Sequence, residues 1–337
     1  MRIAVTGSIA TDHLMAFPGK FAEQILADSL ERVSLSFLAD SLEVRRGGVA
    51  ANIALGLGRL GLTPVLVGAA GVDFAEYAAW LRAGGVDTDA VRVSTTLHTA
   101  RFVCTTDTEQ NQIATFYAGA MAEARDIDLA EVAERAGPLG LVLIGADDPA
   151  AMVRHTETAR RLAVPFAADP SQQLARLGRD EVRTVVEGAA YLFTNEYEAA
   201  LLTDHAGWSE AEVLDRVGTW ITTRGADGVE IRTQGAPVLR VAAVPTGDAV
   251  EPTGVGDAFR AGFLAGVSWD WSHERAARLG CALATLVLES VGTQEYRLDP
   301  ADLLRRIGEA YGPAEARAME PRLSAVAAGL AGLAPSA

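Results

Sequence analysis

Five short apolar runs constrain this chain more than anything else in it: Ile3–Val5, Val65–Gly68, Leu141–Ile144, Pro165–Ala168 and Tyr191–Thr194. Each is too short for a core helix and too continuous for a strand with one wet face, so they read as buried parallel strands. Amphipathic segments stand between or after them, at Ala51–Leu60, Ala150–Leu162, Gln173–Glu187, Glu196–Asp204 and Ser209–Trp220. That alternation predicts an α/β fold: a doubly wound, mostly parallel sheet flanked by helices. Ligands of such sheets bind beyond the carboxyl ends of the strands, and Ser8, Asp12, Asp169, Asn195 and Thr223 fall at those ends.

Two stretches break the rhythm. Ser34–Arg46 and Thr99–Phe116 alternate polar and apolar residues without a helical period, the pattern of hairpin strands in a second, small sheet. They read either as edge hairpins or as a small β-sheet lid over a ligand site, and a lid would also offer a surface for dimerisation. The expected division is a core of residues 1–14, 47–95 and 122–337 and a lid of 15–46 and 96–121. Arg240–Glu251 reads as a strand and turn, Leu279–Leu288 as a buried helix ended by Glu289, and the Ala/Gly-rich stretch 327–337 as a frayed tail.

Composition narrows the function classes. With 49% hydrophobic and 22% charged residues the chain is an ordinary globular one. Its net charge of −15 and unclustered Lys and Arg argue against a nucleic-acid partner. Its two cysteines, Cys104 and Cys281, build neither a metal site nor a disulfide framework, so a reduced cytoplasm is expected. No apolar run approaches a membrane span, and the first residues enter a strand with no room for a leader. The five histidines share no metal spacing.

The richest motif is Thr253-Gly-Val-Gly-Asp257, followed by the helix-like Ala258, Phe259, Ala261, Gly262 and Phe263. Glycines let a ligand approach the backbone closely, and first-turn N–H groups bind anions, phosphate above all. Asp257 beside such an anion suits the taking of a proton from a hydroxyl that attacks a phosphoryl group; the plain alternative is a helix cap. A carboxylate there is expected to have a low pKa. Gly47-Gly48 precedes a second helix on which Asn52 is the odd polar residue, able to give and accept hydrogen bonds. Gly56-Leu-Gly-Arg-Leu-Gly61 spells a dinucleotide fingerprint, but it ends a helix instead of opening one, and Gly61 reads as a cap. Asn195 and Glu198 after a strand suit water-held magnesium or a plain helix start. Thr223-Arg-Gly225-Ala-Asp-Gly228 is a donor-rich turn, as compatible with a hairpin as with a nucleotide.

Together, in order and spacing, these pieces resemble the ribokinase (PfkB) family of carbohydrate and nucleoside kinases over nearly the whole chain. Val5–Met15, Ala168–Arg176 and Pro252–Phe263 are most similar to its bacterial adenosine kinases. The resemblance implies a ribokinase-like fold. It implies Asp257 as base, with Gly254, Val255 and Gly256 as anion hole. It implies sugar contacts from Asp12, Gly48 and Asn52, and a nucleoside pocket of Ser8, Phe102, Phe116, Gln172 and Gln173, with an aromatic face on each side of the purine. It implies ATP held at Thr223, Gly225 and Gly228, with Asn195 and Glu198 serving Mg2+ and phosphate. Two positions depart from the family pattern: Val255 replaces the usual Ala and Glu251 the usual Asp. Glu251 lies where many relatives bind a monovalent cation, so potassium stays open. The implied activity is phosphoryl transfer from ATP to the 5′-hydroxyl of adenosine in purine salvage, by a cytoplasmic homodimer joined through the lid. The alternatives are a sugar kinase of the same family and a non-catalytic nucleoside-binding protein.

Overall fold

A computed structural model of the chain describes residues 1–24 and 35–333, with side chains to 328. Ser34, the lid segment 25–33 and the last residues of the tail lie outside the described residues.

The large sheet has eight strands. From one edge to the other they are Leu239–Val241, Val229–Thr233, Thr219–Thr223, Tyr191–Asn195, Phe166–Ala168, Leu141–Ile144, Ile3–Thr6 and Val65–Val67. All neighbours from Thr219–Thr223 to Val65–Val67 run parallel, and the two strands at the other edge are antiparallel. The chain winds outward in both directions from Ile3–Thr6, so the topological switch point lies there and the crevice opens at Ser8.

Alternate strand residues enter different cores. Ile3, Val5, Leu141, Leu143, Phe193 and Ile221 face one helical layer. Ala4, Val142, Ile144, Leu192 and Trp220 face the other. Burial on both faces explains why the runs are continuously apolar.

A second sheet of four strands is ordered Ser41–Gly47, Ala10–Ala16, Ala100–Thr106 and Gln112–Tyr117. All of Ala10–Ala16 pairs in it, so the first core segment stops before residue 10, not at 14. Within 35–46, one strand from Ser41 replaces the expected hairpin; its partners are Ala10–Ala16.

Other expectations also need correction. Gln173–Glu187 is not one helix: a short 3-10 turn, Ser171–Ala175, gives way to a helix at Arg179–Val186. The break occurs where the Gly178 N–H donates to Glu181 Oε2 at 2.8 Å, starting a new helix. Ser209–Trp220 stops being helical after Leu214, because Trp220 is taken into the strand Thr219–Thr223. There it is fully buried, with its indole N–H on Thr194 Oγ1 at 2.9 Å. Residues 327–333 belong to the helix Pro313–Leu333.

Cys104 and Cys281 are free and buried. Among the described residues no helix is long and apolar enough to cross a membrane.

Candidate active site

Two helix starts meet at the switch point. Val49–Arg59 begins after Gly48, whose φ of 97° a side chain would strain. A Cβ on Gly48 would also come within 2.6 Å of both Ala10 N and Ser8 O, so the strand backbone lies directly against it. Ser8 Oγ accepts from the Val49 N–H at 3.1 Å. The helix Val255–Ser268 begins after Gly254, at φ 77°, where a Cβ would meet Thr293 Cβ at 2.8 Å. Asn52, on the first turn of one helix, donates from Nδ2 to Oδ2 of Asp257 on the first turn of the other, at 2.8 Å.

The electrostatics correct one expectation. Asp257 does not have a low pKa; it is pushed up to about 7. Burial is the main cause. The hydrogen bond from Asn52 and the charge of Arg260 oppose it, and Asp169 and Glu198 reinforce it. Loss of water at the cleft floor outweighs what the helix end offers the anion. Asp12 is likewise pushed up to about 6, by burial and then by Glu251, with Arg45 opposing. Behind the helix start, fully buried Asp169 takes the Arg260 guanidinium at 2.6 and 2.5 Å. Such a pair is costly to break, because the survivor would be a buried lone charge.

A cavity of about 470 Å³ opens over Asp257. Ser8, Gly48 and Asn52 line it from the core, and Gln172 and Gln173 from the turn after the strand Phe166–Ala168. Asp12, Phe102 and Phe116 line it from the small sheet, where register sets Arg45, Asp12, Phe102 and Phe116 in one row. Residues directly opposite in a sheet share a face. The two rings therefore stand side by side as one wall, rather than on opposite sides of a base. Thr253, Thr293, Met121 and Arg176 line it too. Sequence reasoning gave these four no role, although Thr253 and Arg176 sit inside the stretches that carried the resemblance.

A second cavity, of about 590 Å³, lies across the same helix start. Thr223, Gly225 and Gly228 line it with Val255 and Gly256, in a turn where Gly225 and Gly228 both have positive φ. Its apolar wall, from Val244, Phe259, Cys281 and Leu288, was not foreseen. The only signal was the apolar character of the helices that carry Phe259, Cys281 and Leu288. Asp257 lines the first cavity and Val255 and Gly256 the second. The same helix start thus presents a carboxylate to one cavity and the backbone of Val255 and Gly256 to the other.

Asn195 and Glu198 line neither cavity. They form a capping box: Asn195 Oδ1 accepts from Glu198 N, and Glu198 Oε2 accepts from Asn195 N, both at 2.7 Å. Glu198 Oε1 accepts from Ser171 Oγ at 3.3 Å. Among the described residues no group of three carboxylate, His or Cys ligands surrounds a metal position. One part-committed carboxylate fits magnesium held through its own waters, not direct ligation. Glu251 fits a monovalent cation poorly, because its Oε2 already accepts from Arg45 Nη1 and Gly292 N, both at 2.9 Å.

The model of the pfkB family of carbohydrate kinases matches residues 9–299. The chain belongs to this family. A nucleoside kinase of Methanothermobacter thermautotrophicus is 31% identical, over 79% of this chain and 85% of that protein. A ribokinase of Bacillus subtilis is 27% identical, over 80% of this chain and 90% of that one. Among solved structures, the nucleoside kinase of Burkholderia thailandensis in complex with inosine superposes with a TM-score of 0.81 at 34% identity, covering 92% of this chain and 99% of that one. The large mostly parallel sheet with a smaller one beside it is the ribokinase-like fold.

Proposed function

We propose that this kinase transfers the γ-phosphoryl group of ATP to the 5′-hydroxyl of adenosine, giving AMP and ADP. The observation that carries the reading is the position of Asp257 and its helix start between two cavities, one walled by Phe102 and Phe116. A purine offers a face to the aromatic wall. Gln173 Oε1 is buried in that cavity without a partner among the described residues, which suits a donor on the base edge such as an exocyclic amine. The inosine-bound relative supports a nucleoside acceptor.

In this mechanism Asp12 and the free edge of Asn52 grip the ribose, and the 5′-oxygen lies against Asp257. Asp257, near pKa 7, is a better base than an ordinary carboxylate and is about half ionised at neutral pH. The N–H groups of Gly254, Val255 and Gly256 face the charge that spreads over the transferring phosphoryl. Thr223, Gly225 and Gly228 hold the nucleotide. When bound, magnesium neutralises phosphate charge; Glu198, capped by Asn195, would orient one of its waters. The lid excludes competing water.

The outer face of the lid carries Leu42, Val44, Ile113 and Tyr117, all exposed, on the side away from Asp12 and Phe102. A homodimer through this face would bury them. The enzyme acts in the cytoplasm, in purine salvage. The B. subtilis ribokinase favours a sugar acceptor as the second reading. A coupled assay of ADP release across adenosine, inosine, guanosine, ribose and fructose decides: adenosine should be turned over fastest. Turnover of ribose alone would give the sugar reading, and binding of adenosine without ADP release would end the kinase reading.

A further inference from the structure

Asn52 can face Asp257 with its NH2 group or, turned over, with its carbonyl oxygen. Only the first makes a bond; the second sets two acceptors against each other. What fixes the choice lies behind Asn52, in groups given no role so far.

Gln294, fully buried on the segment after the helix His273–Leu288, donates from Nε2 to Asn52 Oδ1 at 2.8 Å and to the Tyr77 hydroxyl at 2.5 Å. Its own orientation is set from both ends. Trp80 Nε1–H, which can only donate, meets Gln294 Oε1 at 3.1 Å. Tyr77, buried, spends its proton on the Gly47 carbonyl at 2.8 Å, which can only accept, and so receives from Gln294. One donor-only and one acceptor-only group therefore dictate the sense of every bond between them. The Thr293 hydroxyl also reaches Asn52 Oδ1 at 3.0 Å, but its single proton is shared with the Arg46 carbonyl, also at 3.0 Å. Among the described residues Gln294 is the one unambiguous donor to that oxygen. Its backbone is pinned as well: Arg59 donates to the carbonyls of Gln294 and Tyr296, both at 2.8 Å.

We infer that Gln294 is a positioning residue, which with Trp80 and Tyr77 holds Asn52 so that its NH2 group pairs with one oxygen of Asp257 and leaves the other for the acceptor hydroxyl. The inference rests on the kinase reading for its effect on turnover, but not for its effect on Asn52. Gln294→Met keeps the volume and removes the donor. It should lower kcat about tenfold or more, the order of one bond to a charged group, with KM for ATP within about twofold. Trp80→Phe and Tyr77→Phe should each lower kcat less than about threefold, because either anchor suffices. Together they should lower it about as much as Gln294→Met, well beyond the product of the single effects. That coupling also serves if Gln294→Met folds poorly. In 15N-labelled protein the side-chain amide resonances of Asn52 should move in Gln294→Met and in the double variant. Unmoved Asn52 resonances, multiplicative single effects, or Gln294→Met turnover within about twofold of wild type would each overturn the inference. If the resonances move while wild-type protein phosphorylates no acceptor, the relay stands and the kinase reading falls.

Discussion

Replacing Asp257 by Asn should cost turnover and raise stability, and the gain in stability should depend on pH. In the unfolded chain this carboxyl ionises near the ordinary 3.8; in the fold it does so only near about 7. Between those values the folded state keeps a proton that the unfolded state has lost. Stability therefore falls as pH rises through that window and is level above it. The ceiling is about 4 kcal/mol, at 1.36 kcal/mol per tenfold change. Water reaching the cleft and the helix end at Gly254 both reduce it, so about 1–2 kcal/mol is expected, or roughly 1–3 °C in melting temperature for a chain of this length. The substituted amide cannot ionise and escapes the penalty, while the Asn52 N–H keeps an acceptor. Turnover should fall about 10²–10⁴-fold, the range for a general base. Calorimetry at pH 5 and pH 8, paired with ADP release, reads both effects. A melting-point gain that is equal at the two pH values, or absent at pH 8, would refute the burial argument even with turnover lost.

The same carboxyl should appear in wild-type kinetics: kcat/KM for the acceptor should rise about tenfold per pH unit up to about 7 and then level, and a limb centred near pH 4 would remove Asp257 as the base. Phe102→Ala should raise KM for adenosine about tenfold or more, the order of one stacking contact, and leave KM for ATP within about twofold; equal effects would place the ring elsewhere. Because Arg45 already occupies Glu251, turnover in potassium, sodium and tetramethylammonium salts should agree within about twofold, and strong potassium activation would contradict that geometry. Val44→Glu with Ile113→Glu should convert the proposed dimer to monomer in light scattering with the circular dichroism spectrum unchanged, since both side chains are exposed on the protomer; a monomeric wild type would end the dimer proposal.

The parts of the fold legible in sequence are those governed by local rules. Continuous apolar runs mark strands buried on both faces, and Leu141–Ile144 and Tyr191–Thr194 follow from that alone, the second running one residue further, to Asn195, in the fold. The failures lie where one residue is claimed by two environments. Trp220 completes a helical stripe in sequence, yet its indole N–H has a partner only from the strand, at Thr194. The pKa of Asp257 is misread from sequence in the same way: the helix start is visible in Gly254-Val-Gly256, but the burial that dominates it comes from the walls of a cleft built by distant segments. Asn195 and Glu198 read in sequence either as holders of magnesium's waters or as a helix start, and only the fold shows the reciprocal capping bonds of the second. Gln294 carried no signal, because nothing near it in sequence names Trp80, Tyr77 or Asn52 as its partners.

The string Gly56-Leu-Gly58-Arg-Leu-Gly61 has a physical account other than nucleotide binding. Gly61, at φ 81°, closes the helix Val49–Arg59: its N–H donates to Gly58 O at 2.9 Å, and the Leu62 N–H to Leu57 O at 3.1 Å. Gly56 lies one turn after Asn52, and Ala261 one turn after Asp257. A Cβ on Gly56 would stand 2.6 Å from Ala261 Cβ, closer than two carbons can pack. Side chains four residues apart share a helix face, so the contact at Gly56 and Ala261 sets the distance between the helices at Asn52 and Asp257. A methyl at Gly56 would part the helices by roughly an ångström before the carbons stopped clashing, and a 2.8 Å hydrogen bond stretched that far is no longer one. The missing side chain at Gly56 therefore belongs to the site as much as the carboxyl it brings into reach.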